Sequence, residues 1–174
     1  YLQGVEISIL AAVSVTPEKP ETACIIPFVP ARDHKRLLDG AKGPNTGGMG
    51  AYTCLPFITE EDWTYAFENI MKPTAKAMQS EGLPLTGVLY GGLMKTVTGI
   101  KVIEFNARFG DPETEVVLPL LRSDIYDVFY SIAENKPIEN MEWEDAATIG
   151  VVLASKGYPG SYEKGALIKG LENV

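Results

Sequence analysis

A strand that runs into a proline-marked turn constrains this chain more than any other stretch. Residues 101–113 read Lys-Val-Ile-Glu-Phe-Asn-Ala-Arg-Phe-Gly-Asp-Pro-Glu. Side chains alternate across an extended segment, so Val102, Glu104 and Asn106 share one face, and Lys101, Ile103 and Phe105 the other. A carboxylate and an amide oxygen two residues apart are hard donors within reach of one cation. Mg²⁺ takes one or two such protein ligands and fills its shell with phosphate and water. Arg108 continues this face and sets a planar guanidinium beside the anion that such a metal holds. An edge strand with a solvated face shows the same spacing, so the residues beyond the strand must discriminate. Asp111-Pro112-Glu113 reads as a helix start, with Asp111 as N-cap, Pro112 in the first helical position, and Glu113 and Glu115 opposing the positive end of the dipole. The polar face is thereby placed at a strand terminus, where binding residues concentrate.

The rest of the composition narrows the class. With 174 residues, 45% hydrophobic and 22% charged, the chain can bury a sizeable core. A net charge of −8 argues against a nucleic-acid or anionic-membrane partner, because both need clustered Lys and Arg. Cys24 and Cys54 make no disulfide framework, and a single histidine leaves no zinc-type cluster. A reducing cytoplasm is the natural setting. No apolar run of membrane length or signal segment is present. The chain starts without methionine inside a strand-like stretch and reads as a fragment of a longer protein.

In chain order, 5–15 is β-branched with Glu6 and Ser8 on one face and reads as a strand; 16–20 reads as a turn and 22–28 as an antiparallel return. Glu6 either lies on a solvated face or faces the same cleft as Glu104. Five glycines between 40 and 50 are too many for a regular element, since each gives up backbone entropy on ordering. That segment is a functional loop or a solvated one. Arg32, His34, Lys35 and Arg36 precede it and favour an anion, with glycine N–H groups approaching phosphate and the cations neutralising it. The spacing matches neither a P-loop nor a dinucleotide fingerprint. Thr59 caps a helix whose stripe of Trp63, Phe67, Ile70, Met71 and Met78 faces a sheet, with a kink at Pro73 and a stop at Gly82. Residues 86–96 form a strand in which Gly91-Gly92 marks a bulge or a close approach; Thr98-Gly99 turns it into the Glu104 strand. Ser123 caps another helix that ends at 135–137. Residues 139–145 read as an acidic linker or edge, 147–155 as a buried strand, and 158–160 as a turn.

Three of these segments carry a family resemblance. Residues 33–36 (Asp-His-Lys-Arg), 43–52 (Gly-Pro-Asn-Thr-Gly-Gly-Met-Gly-Ala-Tyr) and 103–113 resemble the signatures of the phosphoribosylamine–glycine ligases, ATP-grasp enzymes of de novo purine synthesis. Gly157-Tyr158-Pro159-Gly160 adds to the match. The resemblance implies an α+β fold. Residues 1–122 would be the C-terminal part of an ATP-grasp domain, an antiparallel sheet with helices on one face. Residues 123–174 would begin a small β-rich C-terminal domain with its linker helix. It implies ATP, glycine and 5-phosphoribosylamine as small-molecule partners, with Mg²⁺ or Mn²⁺ held by Glu104 and Asn106. It places Arg108, Lys35 and Arg36 at the reacting phosphates. Glu6, Asp33, His34, Asn45, Thr46, Gly47, Gly48, Met49 and Gly50 would line the nucleotide and substrate region, with His34 a positioning donor rather than a general base. The family's usual Gly-Glu-Glu is Gly4-Val5-Glu6 here, leaving only the second glutamate, and the other wall of the ATP cleft lies in upstream segments. A non-catalytic phosphate-binding module would keep the glycine-rich loop without needing Glu104, Asn106 and Arg108 together. An ATP-grasp carboxylase with another acyl acceptor is disfavoured only by the loop's resemblance.

Overall fold

The structure, a computed structural model, describes residues 2–15 and 24–173. The turn expected at 16–20 and the first residues of the return strand fall outside the described residues. At the centre is β1 (Val5–Ser14), buried from Ile7 onward. It pairs antiparallel with β2 (Cys24–Pro27) on one side and β7 (Gly87–Thr96) on the other, and β7 pairs with β8 (Gly99–Asn106). The two expected hairpins thus join through β1 and β7 into one four-stranded sheet.

Both faces of that sheet are covered. On one, Ile7, Ile9, Ala11, Leu89 and Leu93 pack against α1 (Glu60–Ala66) and α2 (Lys72–Ser80) through Ala66, Phe67, Met71 and Ala75. On the other, Leu10, Ala12, Val88 and Tyr90 meet Phe28, Val116, Val117, Val128 and Ile132, the last four from α3 (Thr114–Val117) and α4 (Ile125–Ala133). The α+β class stands. Helices expected on one face lie on both, and the second set closes the floor of the site. Covering both faces removes apolar area from water on each side of β1, which is why that strand has no solvated edge or face beyond Glu6. No described helix is long and apolar enough to cross a membrane.

Local signals placed most elements. Thr59 and Asp62 form a reciprocal capping box, the Asp62 N–H donating to Thr59 Oγ1 at 3.1 Å and the Thr59 N–H to Asp62 Oδ2 at 3.0 Å. The kink expected at Pro73 takes the form of a π turn at Phe67–Met71, in which the Lys72 N–H bonds the carbonyl of Phe67, five residues back. Gly82, at φ +75°, closes α2 with the Leu83 N–H on Met78 O and its own N–H on Gln79 O, a Schellman arrangement. Gly91 and Gly92 serve opposite faces. A Cβ on Gly91 would stand 2.6 Å from Met71 Sδ, and one on Gly92 3.1 Å from Glu104 Cγ.

Four expectations are corrected and one open alternative is resolved. The register shifts at Gly92/Leu93, so Val102 pairs with Leu93 while Glu104 pairs with Gly92. The extra residue, Ile103, turns Val102 to the face opposite Glu104. Asp111 caps nothing, because the helix begins only at Thr114 and Glu113 at its N-cap turns its side chain inward. Asp124 rather than Ser123 caps α4, its carboxyl receiving the Tyr126 N–H at 2.9 Å; Ser123 Oγ instead accepts from the Glu142 N–H at 2.8 Å. Of the two readings of the acidic 139–145 stretch, linker or edge, the structure favours the edge: Met141 is buried, and Trp143 pairs with Leu121 and packs on the core. The strand expected over 147–155 shrinks to β9 (Ile149–Val151), with Ile149 78% exposed.

The glycine-rich segment folds more regularly than its composition suggests. β4 (Arg36–Leu38) and β5 (Lys42–Asn45) make a small hairpin, and β6 (Gly50–Tyr52) lies between β3 (Arg32–Asp33) and β9. Gly50, at φ +144°, permits this pairing, since a Cβ there would sit 2.4 Å from Gly150 O.

Phe28 is 1% exposed and meets Phe109 and Trp143 edge-on at 5.6 and 5.8 Å. Phe28→Ala is expected to destabilise the chain by about 3–5 kcal/mol in urea unfolding. A loss under about 1 kcal/mol would show that this second core is not packed as described.

Candidate active site

The site grows from the face of the sheet that carries Leu10. Antiparallel partners share a face, so the pairs Ser8↔Gly92, Leu10↔Tyr90, Gly92↔Glu104 and Tyr90↔Asn106 bring Glu6, Ser8, Tyr90, Glu104 and Asn106 to one side. The sheet core on that side gives way to polar groups toward the start of β1. There Ser8 Oγ donates to Glu113 Oε1 at 2.6 Å and Tyr90 Oη donates to the same oxygen at 2.9 Å. Glu113 is 2% exposed. Burial, with Glu113 alongside, pushes the Tyr90 phenol well above its ordinary range, so it stays a donor.

Over this floor lies a cleft of about 190 Å³, bounded by Asp33, Lys35, Thr46, Gly47, Glu104, Arg108 and Asp111. Its metal-ligand candidates are adjacent, the Asn106 amide donating to Glu104 Oε1 at 3.3 Å. Among the described residues no group of three or more His, Cys, Asp or Glu is arranged to hold a metal ion. An ion that takes phosphate and water for most of its shell suits the Glu104–Asn106 pair; one that needs an all-protein cage does not. Arg108 lies 6.0 Å from the Tyr90 ring centroid and donates from Nη1 to Phe109 O at 2.7 Å. Lys35 reaches Glu6 at 3.9 Å, which places Glu6 on the cleft side.

The other sequence candidates divide. Asp33 is buried and Gly48 packs on it, a Gly48 Cβ being 3.0 Å from Asp33 Oδ1 and 2.3 Å from Pro112 Cδ. Arg36 and Asn45 face each other in the β4–β5 hairpin, where Arg36 Nη1 donates to Gly43 O at 2.6 Å; neither lines the cleft. The exposed His34 side chain stands outside it, while the His34 backbone bonds Gly50 O and Met49 N. The loop does not act as a nest of free donors. Thr46 N–H bonds Lys35 O, Gly48 N–H bonds Thr46 Oγ1, and Met49 N–H bonds His34 O. Gly47 N–H goes to Tyr158 Oη at 2.9 Å, from a turn 111 residues away. Ser8, Tyr90 and Glu113 escaped sequence reading as a site. The even parity of Ser8 with Glu6 was the one signal available.

Asp33 is pushed up to about 7, first by burial, then by Glu113, with Lys35 opposing. The ordinary value, 3.8, applies to the unfolded chain. Between those pH values the folded state holds the extra proton, so this group's contribution lowers stability as pH rises from 4 to 7.

Comparison with known proteins gives a consistent picture. The family described as "Phosphoribosylglycinamide synthetase, ATP-grasp (A) domain" matches residues 1–114. The phosphoribosylamine–glycine ligase of Halalkalibacterium halodurans is 53% identical over all of this chain, which covers 39% of that protein. The trifunctional purine biosynthetic protein adenosine-3 of Gallus gallus is 48% identical over 99% of the chain and 17% of its own length. The crystal structure of the Thermotoga maritima phosphoribosylamine–glycine ligase superposes with a TM-score of 0.79 at 34% identity, covering 95% of this chain and 40% of that one. The biotin carboxylase subunit of pyruvate carboxylase, at 15% identity and a TM-score of 0.56, shares the fold. The chain therefore spans about two fifths of the bacterial ligases it matches.

Two measurements test this geometry. Asp33→Asn should gain stability relative to the parent as pH is raised from 4 to 7 and hold that gain above 7; a difference that shrinks over the same window would reverse the assigned shift. In Tyr158→Phe, amide exchange at Gly47 should speed up while Thr46 and Met49 stay protected, and an unchanged Gly47 rate would rule out the Tyr158 bond.

Proposed function

The chain belongs to the phosphoribosylglycinamide synthetase ATP-grasp (A) domain family, and from that premise we propose that it supplies one wall of the active site of a phosphoribosylamine–glycine ligase. The reaction is the ATP-dependent joining of glycine to 5-phosphoribosylamine. A glycine carboxylate oxygen attacks the γ-phosphorus and the bond to the β-phosphate oxygen breaks, releasing ADP. The amine nitrogen of phosphoribosylamine then attacks the glycyl phosphate carbonyl. The C–O bond to phosphate breaks, inorganic phosphate leaves, and a proton is lost from nitrogen.

The observation that carries this reading is the convergence of Glu104, Arg108 and Lys35 on one cleft, with Asn106 hydrogen-bonded to Glu104 beside it. Joining two anions requires positive charge and preorganised donors rather than strong acid–base groups. We assign Glu104 and Asn106 as the residues that would hold Mg²⁺ or Mn²⁺, which would supply positive charge to the reacting phosphates. Arg108 and Lys35 face the transferred phosphoryl group. Glu6 sets Lys35, and Asp33, Thr46, Gly47 and Gly48 line the substrate side. Met49, Gly50 and the His34 backbone hold the loop in place, with Arg36 and Asn45 on the hairpin at its rim. Residues 1–122 then belong to the ATP-grasp domain, and 123–174 open the next unit with α4 as its linker helix, docked on the sheet. The setting is cytoplasmic, in keeping with two free cysteines.

Glu104→Gln, introduced into a full-length ligase containing this segment, should lower kcat by at least ~10²-fold with little change in melting temperature. Glu104 is exposed and holds up no core, so the loss would be chemical. Normal turnover in that variant would remove the metal assignment and with it the main support for this function.

A further inference from the structure

The glycine-rich loop is tied down from two sides. Its own approach strand holds Thr46 and Met49, whose N–H groups donate to Lys35 O and His34 O, and Thr46 Oγ1 in turn accepts the Gly48 N–H. Gly48 is wedged against Asp33 and Pro112. Between these points lies Gly47, whose N–H donates to Tyr158 Oη at 2.9 Å, across 111 residues of chain. The segment that brings Tyr158 there runs along the loop: Gly50 pairs with Val151, and the Val152 N–H donates to Met49 O at 3.1 Å. The turn at its end is closely built. Tyr158 N–H donates to Ser155 O at 3.0 Å, Gly160 N–H to Gly157 O at 2.9 Å, and Tyr162 meets the Tyr158 ring edge-on at 5.9 Å. Gly157 sits at φ +100°, where a Cβ would stand 2.5 Å from Ser161 O, so this turn needs glycine.

We propose that Tyr158 is a positioning residue for the ligase reaction: its hydroxyl seats the apex of the glycine-rich loop and, through Gly47 and Thr46, fixes one wall of the cleft without touching substrate. The inference rests on the ligase reading and adds to it a residue outside the cleft, in the segment that follows β9. Thr46 and Gly47 both line the cleft, so where the apex stands decides the shape of that wall. Gly47 is exposed, and water would satisfy its N–H if the hydroxyl were gone. What the bond adds is therefore location rather than stability. Two consecutive glycines, Gly47 and Gly48, give the apex wide backbone freedom, and one fixed contact removes much of it. Location matters to the chemistry because two bound reactants must be held in line, and a shift of about 1 Å that starts far from the reacting atoms can cost up to ~10²-fold in rate. The segment carrying Tyr158 thereby couples its own docking to the geometry of the cleft.

The test uses a full-length ligase containing this segment and follows ADP release with MgATP, glycine and phosphoribosylamine each varied in turn. Tyr158→Phe keeps the ring and removes the hydroxyl. It should lower kcat about 3–10-fold, the factor that one neutral hydrogen bond supplies. The KM for ATP should stay within about twofold, since nucleotide binding is untouched, and the melting temperature should not change. Gly47→Ala approaches the same bond from the other side: its Cβ would lie 3.1 Å from Tyr158 Oη and crowd the hydroxyl off the amide. It should lower kcat by a similar factor in the parent enzyme and far less in the Tyr158→Phe background, where no hydroxyl is left to displace. Two changes that break one shared contact are non-additive in this way, whereas independent defects multiply. An unchanged kcat in Tyr158→Phe, an ATP KM that rises as far as kcat falls, a drop in melting temperature alongside the loss, or a Gly47→Ala effect of full size in both backgrounds would overturn the assignment. Wild-type enzyme that releases no ADP in response to glycine would overturn the ligase reading itself, an outcome distinct from any of the variant signatures.

Discussion

Glu113 accepts hydroxyls from Ser8 and Tyr90 on one oxygen, from strands 105 and 23 residues away in sequence. Removing either hydroxyl strips a partner from a group almost wholly out of water, where the missing bond is felt in full. The triangle therefore pins the turn after β8 onto β1 and β7. With the turn pinned, Pro112 is buried beneath Gly48, Arg108 is held over the Tyr90 ring, and Asp33 is enclosed. The cleft's geometry depends on where one carboxyl group is stored.

The same economy of space governs the glycines. Gly92 leaves room for the Glu104 side chain and Gly91 for Met71 on the reverse face, so a central strand passes between a helix and a site without distortion. Gly48 and Gly50 let the loop lie flat on Asp33 and on the 150–151 backbone. The loop's glycines thus serve close packing more than anion binding. Its amides are already bonded to protein, and Tyr158 takes the one that faces outward. Positive charge at the cleft comes from Lys35 and Arg108, both of which line it in a chain whose net charge is −8.

A cluster of carboxyl groups around so few cations also shapes the titration behaviour. Asp33 shows this most clearly: burial raises its carboxyl first, Glu113 adds to the rise, and Lys35 opposes it. Glu113, more deeply buried, accepts two hydroxyls. Neighbouring acids thus differ in hydrogen-bond supply, Glu113 holding two donors while Asp33 Oδ1 meets none among the described residues.

Much of the fold and site was legible in the residues themselves. The Thr59–Asp62 cap, the stop at Gly82, the strand-rich 5–14 and 87–106 stretches and the shared face of Glu104 and Asn106 all rest on groups within a few positions of each other, where backbone geometry dictates the outcome. The motifs at 33–36, 43–52 and 103–113 likewise announced their family. Tertiary structure alone decided that Ile103 bulges and turns Val102 away, that Glu113 folds inward instead of facing a helix dipole, and that Asp111 caps nothing. It alone decided that helices cover both faces of the sheet and that Tyr158 holds Gly47. In each case the deciding partner is far away in the chain, and whether a polar group turns inward depends on whether a distant donor is there to receive it.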